Sequence, residues 1–258
     1  MVPTAGSDAR PRLGIVCLDL DYYVDDFGLF EPEDLFGLGH LPIGFFESPS
    51  TWPIPTAYAV ARGAGADATV AGESSAGAGL AAAAERLADV STVILPDCGF
   101  LWQYRAQLSD LPSLPPVVFA MDLLDLAGSA APGPIGVLTW SETAAERMLA
   151  DHPLNDRLRI VGLNQNENWK VFGEKGWTFE GMRSELLETV DREVTVGRFA
   201  DTGTIVLECT ALPQFHQDIQ STSQRPVFDA ATIALGLLTQ QGLRAPRQEF
   251  HGDLRSKK

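Results

Sequence analysis

Seven short apolar runs, rich in β-branched residues and almost free of polar ones, punctuate this sequence: Leu13–Leu18, Thr92–Leu95, Val117–Ala120, Ile135–Thr139, Leu158–Leu163, Thr204–Leu207 and Val227–Phe228. Runs of this kind suit strands covered on both faces, because a strand with one wet face alternates apolar with polar. Helical periodicity fills the intervals, over Ala78–Leu87, Leu101–Leu108, Glu142–Leu149, Phe179–Glu193 and Asp229–Gln240. Strand and helix alternating through most of a chain predict an α/β fold with parallel sheets assembled from βαβ units.

The chain also resembles itself. Thr92-Val93-Ile94-Leu95 runs through Pro96-Asp97 into Cys98, and Thr204-Ile205-Val206-Leu207 runs through Glu208 into Cys209. Pro116-Val117-Val118-Phe119 matches Pro226-Val227-Phe228, and Leu13-Gly14-Ile15-Val16 matches Ile135-Gly136-Val137-Leu138. Three matched elements in one order predict two similar halves. One half covers residues 13–122 and is completed by a C-terminal helix over 229–245; the other covers 133–228. Similar halves pack with approximate two-fold symmetry, and parallel sheets gather ligands at the carboxyl ends of their strands. Both cysteines stand at such ends, so they are expected on opposite walls of one cleft. Each precedes a helix, whose N-terminal dipole is expected to lower the thiol pKa from about 8.5 toward neutrality.

Two thiols facing one substrate carbon suit proton transfer. One removes a proton from one face, the other returns a proton to the opposite face, and the carbon inverts. Backbone amides and hydroxyls at the strand ends would hold the carboxylate or carbonyl that carries the carbanion charge. Thr139, Thr210 and the amide of Gly99 are the candidates. Asp19, just past the first run, is compatible with a ligand or a solvated turn. Asp97 and Glu208 precede the cysteines symmetrically and either tune the thiols or cap helices. His216 fits an ordinary helix surface better than a site role, and Cys17 reads as core. Trp52 and Trp102 are the tryptophans that could line a pocket.

One segment breaks the alternation. Asp21 to Pro55 is crowded with Phe, Gly, Pro and acidic residues; its aromatic content argues against disorder, and it reads as a flap covering substrate rather than an ordinary surface insertion. The pairs Gly63-Ala64-Gly65 and Gly77-Ala78-Gly79 follow none of the strands read above. No Gly-x-Gly-x-x-Gly turn or phosphate-binding loop is present, and no nucleotide or other cofactor is expected.

Composition excludes several partners. Against 19 basic residues stand 34 acidic ones, a formal net charge of -15, which repels phosphate backbones and anionic lipid. Neither nucleic acid nor membrane is an expected partner. The N-terminal residues carry no apolar run of signal-peptide length. Three scattered cysteines offer no disulfide framework and no zinc spacing, and free thiols suit a reducing, cytoplasmic setting. A homodimer is the commonest assembly for such a protein, and the sequence leaves oligomeric state open.

The segments Pro96-Asp97-Cys98-Gly99-Phe100 and Leu207-Glu208-Cys209-Thr210-Ala211-Leu212-Pro213 resemble the aspartate/glutamate/hydantoin racemase superfamily, in a branch with a CGF first motif and an LECT-x-LP second motif. Gly136-Val137-Leu138-Thr139, Pro226-Val227-Phe228-Asp229 and Asp19 also fit, so the resemblance spans roughly residues 13 to 240. It implies two pseudo-symmetric flavodoxin-like subdomains, no cofactor or metal, and cysteines as acid and base. Carried over, Cys98 and Cys209 are the pair, and Thr139 and Thr210 bind a substrate carboxylate. The superfamily includes racemases, maleate isomerases and arylmalonate decarboxylases. The implied function is a racemase, epimerase or isomerase acting beside a carboxylate or carbonyl of a small molecule. A lyase using one cysteine, or a binding protein on the same scaffold, are the alternatives. Asp97 and Gly99 stand where amino-acid racemases carry an Asn-Thr step, and Ala120-Met121-Asp122 replaces a hydroxyl-rich turn. These exchanges favour a larger and more apolar substrate than aspartate or glutamate.

Overall fold

The computed structural model describes residues 12–20, 45–111, 113–170 and 178–240. The apolar runs become two parallel sheets. In the first, β1 (Leu13–Cys17) lies between β2 (Thr56–Val60) and β3 (Val93–Pro96). In the second, β4 (Ile135–Thr139) lies between β5 (Leu158–Gly162) and β6 (Thr204–Leu207), and the two-residue β7 (Val227–Phe228) extends the β6 side. β1 and β4 are buried at every position, as strands covered on both faces must be.

The repeat is written in the hydrogen bonds. Leu13 registers with Thr56 and Val93, and Ile135 with Leu158 and Thr204. The amide of Ile94 donates to Pro116 O at 2.9 Å, and that of Ile205 to Pro226 O at 3.0 Å. The amide of Asp97 donates to Val16 O, and that of Glu208 to Leu138 O, both at 2.9 Å.

Three expectations need correction. The run Val117–Ala120 pairs only through a single bridge between Ile94 and Val117, because Ala120–Asp122 already winds into a 3-10 turn. β2 was not legible as a strand: Thr56-Ala57-Tyr58-Ala59-Val60 has no β-branched run, and pairing with β1 makes it one. Gly63-Ala64-Gly65 therefore does follow a strand, and Gly63 takes a positive φ of 82° that its missing Cβ permits. The segment read as a helix over Leu101–Leu108 is a 3-10 helix over Gly99–Leu108. Residues 21–44, including Phe27, Phe30 and Phe36 of the expected flap, lie outside the described residues.

The helices are α1 (Ala66–Ala71), α2 (Ser74–Ala88), α3 (Leu123–Ala130), α4 (Glu142–Met148), α5 (Glu167–Lys170), α6 (Phe179–Thr195), α7 (His216–Ser223) and α8 (Ala230–Gln240). Two of them change sides. α3 follows the first half in sequence but packs on β4 and β6, and α8 follows the second half but packs on β3. Leu124 and Ala127 of α3 and Ala234 and Leu238 of α8 join one core cluster that runs through both sheets. Each fully buried leucine there contributes roughly 2 kcal/mol of transfer free energy. The exchange ties the two sheets together through that shared core. No helix among the described residues is long and apolar enough to cross a membrane.

Candidate active site

Cys98 follows β3 by two residues and Cys209 follows β6 by two residues. Both line one cavity of about 170 Å³. The strand-end turns that carry them interlock. The Thr210 hydroxyl donates to the backbone carbonyl of Asp97, across the halves. Reciprocally, Gly99 lies so close to Glu208 that a Cβ on it would fall 2.2 Å from the Glu208 carbonyl oxygen. Only a residue without a side chain fits there. The second contact holds Cys98 beside the carboxylate that precedes Cys209.

The sulfurs are half-buried and free. Each accepts an amide hydrogen bond from two residues ahead, Phe100 to Cys98 and Ala211 to Cys209. That local donor favours a thiolate, as the sequence reading expected, but it does not prevail. Burial raises both thiols well above the ordinary range, and the charge of Glu208 is the next cause at each. The expected lowering by helix dipoles is thus reversed. Cys98 leads into the 3-10 helix Gly99–Leu108, and the turn after Cys209 reaches α7 only through a second 3-10 segment, Pro213–Phe215. Neither offers enough aligned peptide dipole to outweigh burial beside buried carboxylates.

Three carboxyl groups line the cavity with the thiols: Glu47, Asp97 and Glu208. The Leu18 amide donates to both oxygens of Asp97, at 3.0 and 3.1 Å, and Asp97 also shares a side-chain hydrogen bond with Glu47. Two carboxyls so joined share a proton, and Asp97 sits well above the usual carboxylate range through burial first and the Glu47 charge second. Glu208 accepts the Thr139 hydroxyl at 2.7 Å and the Trp140 amide, yet burial pushes it up to about 7. The remaining wall is apolar, with Leu18, Leu20, Phe45, Val70, Phe100 and Trp140.

The sequence-derived candidates separate here. Cys98, Cys209, Gly99 and Thr210 line the cavity together. Thr139 is fully buried behind Glu208, and its hydroxyl points at that carboxylate rather than into the cavity. Asp19 is also elsewhere: it pairs with Arg62 at 2.7 Å and accepts the Gly63 amide at 2.8 Å, bracing the turn after β2. Trp52 donates to Phe46 O and Trp102 to Asp122, and neither lines the cavity. Trp140 does, at the end of β4, where strand position alone was the available signal. Phe45, from the close of the aromatic segment expected to cover substrate, also lines it, as does Glu47, which no local pattern marked. His216 meets Asp229 at 2.6 Å beside a different cavity, of about 190 Å³.

Glu208 makes stability depend on pH. Its folded value, about 7, lies above its ordinary 4.5, so it favours the folded state most below pH 4.5 and loses that contribution as pH rises through 7. The gap corresponds to at most about 3 kcal/mol. Glu208→Gln is expected to be more stable than the parent at pH 8, with the difference shrinking toward pH 4.5, as measured by urea unfolding. An equal difference at both pH values would contradict the raised carboxyl.

No family model matches the sequence, and no curated protein sequence matches it. Solved structures do match in fold. An arylmalonate decarboxylase superposes with a TM-score of 0.52 at 13% identity, covering 92% of this chain and 96% of that one. The allantoin racemase from Klebsiella pneumoniae superposes at 0.53 with 12% identity, over 93% of this chain and 92% of that one. The aspartate racemase of Picrophilus torridus gives 0.50 with 14% identity, over 92% and 96%. At 12–14% identity these likenesses are of fold: the chain shares its α/β architecture with those enzymes.

Proposed function

We propose that this chain, on the fold shared by those racemases and that decarboxylase, is a cofactor-independent racemase, epimerase or isomerase. It moves a proton at a carbon next to a carboxylate or carbonyl, with Cys98 and Cys209 as the acid/base pair. The observation that carries this reading is a single cavity lined by one cysteine from each half. One sulfur takes the α-proton as a thiolate, leaving a carbanion conjugated with the neighbouring carbonyl. The other thiol protonates the opposite face. The apolar wall of Phe45, Phe100 and Trp140 excludes water from the carbanion and suits a substrate with an apolar substituent. Thiol chemistry of this kind needs Cys98 and Cys209 reduced, in keeping with a cytoplasmic setting.

One observation favours a second reading. Both thiols rest protonated, and a carbanion left by loss of CO2 needs only a donor. A lyase would use one cysteine for that.

The test is incubation in D2O with enantiopure α-aryl and α-alkyl acids, their amides and cyclic ureides, followed by NMR and chiral chromatography. Deuterium is expected at the α-carbon together with loss of optical purity. Deuterium entering with full retention would remove the two-base scheme, and release of CO2 would replace it with the lyase.

A further inference from the structure

Glu208 is 1% exposed, closes β6 and lines the cavity. Its Oε2 accepts the Thr139 hydroxyl. Its Oε1 is buried without a hydrogen-bond partner among the described residues. A buried carboxylate oxygen left without a donor keeps its desolvation cost uncompensated, so an orphan of this kind asks for a function. Oε1 lies against Gly99, where an added Cβ would come within 2.2 Å of it. Gly99 directly follows Cys98, and Glu208 directly precedes Cys209. One carboxylate thus stands beside both thiols, and its charge acts on both sulfurs.

The counterpart in the other half is built differently. Asp97 has the Leu18 amide on both oxygens and Glu47 beside it. The duplicated halves match in the strand-end bonds given above, yet of these two carboxylates it is Glu208 that leaves an oxygen without a partner among the described residues.

We propose that Glu208 is the proton relay between the two thiols: Oε1 takes the proton of one and returns it to the other. The inference deepens the two-thiol reading and rests on it. The cycle starts with both thiols protonated and Glu208 ionised. Oε1 takes the proton from Cys98 Sγ, leaving a thiolate and a carboxylic acid. The thiolate takes the substrate's α-proton, and the C–H electron pair stays on carbon. Cys209 Sγ–H protonates the opposite face and becomes a thiolate. Glu208 then gives its proton to Cys209, which restores the starting state without a proton from solvent. The opposite enantiomer runs the same steps in reverse. A carboxyl that titrates at about 7 serves both directions at neutral pH. The titratable groups facing it are Cys98 and Asp97 from the first half, Glu47 from the aromatic segment and Cys209 on its own turn. No Lys, Arg or His among the described residues lines the cavity, and Asp97 and Glu47 already share a proton.

Alkylation by iodoacetamide, followed peptide by peptide in a mass spectrometer, tests the relay without a substrate, because only the thiolate reacts. In the parent protein the rate at Cys98 and Cys209 should rise with pH through about 7, as Glu208 ionises and accepts the thiol proton. In Glu208→Gln that limb should vanish, and both cysteines should react at least tenfold more slowly at pH 8. A purely electrostatic or structural Glu208 makes the opposite forecast. Removing its charge would leave the rates unchanged or raise them, and either result overturns the relay. Thr139→Val keeps the carboxylate but removes a hydrogen bond that lowers its pKa, so it should keep the limb and move it to higher pH. Loss of the limb in that variant would also overturn the proposal. The two-thiol reading itself stands or falls separately, on deuterium exchange in the parent protein.

Discussion

Cys98→Ala and Cys209→Ala are each expected to lower inversion at the α-carbon by about a thousandfold, within the range that a single acid or base contributes. A proton removed from one face must be replaced on the other, and each wall of the cavity carries one thiol. Neither alanine should endanger the fold, because both sulfurs are half-buried and the change removes one atom. Chiral chromatography of a turned-over substrate reads the result, and the pattern across the two variants carries the meaning. Equal losses support the two-base scheme. One dead variant beside one merely slowed points to the lyase, in which a single thiol delivers the proton. Full turnover by either variant would end the scheme.

Gly99→Ala is expected to cost about 2–4 kcal/mol of stability, as overpacking against an immovable neighbour does. The new methyl would sit 2.2 Å from the Glu208 carbonyl oxygen and 2.2 Å from Oε1. The carbonyl belongs to the chain at the end of β6, whose amides are paired to β4 and to Pro226, so it cannot swing aside. Gly14 makes the useful contrast. Its nearest neighbour, at 2.4 Å from an added Cβ, is the Ser91 hydroxyl, which can rotate. Gly14→Ala should therefore cost clearly less in the same urea titration. A Gly99→Ala protein as stable as the parent would mean that the two strand-end turns are not pressed together as described.

The two-fold pattern of the fold was legible because its causes are local. Val, Ile and Leu in unbroken runs specify strands buried on both faces, and β1, β3, β4, β5, β6 and β7 appear where those runs lie. The cysteines at matched strand ends could be read for the same reason. β2 could not, since Ala57, Tyr58 and Ala59 favour no state on their own and become a strand only against β1. Thr139 shows the limit for the site. Its place at the end of β4 was right, but whether its hydroxyl turns to the cavity or to Glu208 depends on which carboxylate stands behind it.

By itself, the order of residues determined the alternation of strand and helix, the duplication, and the two thiols at equivalent strand ends. Tertiary packing alone decided how those thiols are charged. A helix end in isolation favours a thiolate, but burial beside Glu208 opposes one at both sulfurs, and burial wins because desolvation falls on the charged sulfur directly. Packing also decided which of two similar carboxylates is satisfied and which keeps an open oxygen, since Glu47 and the Leu18 amide meet Asp97 through the fold and not through any neighbouring motif.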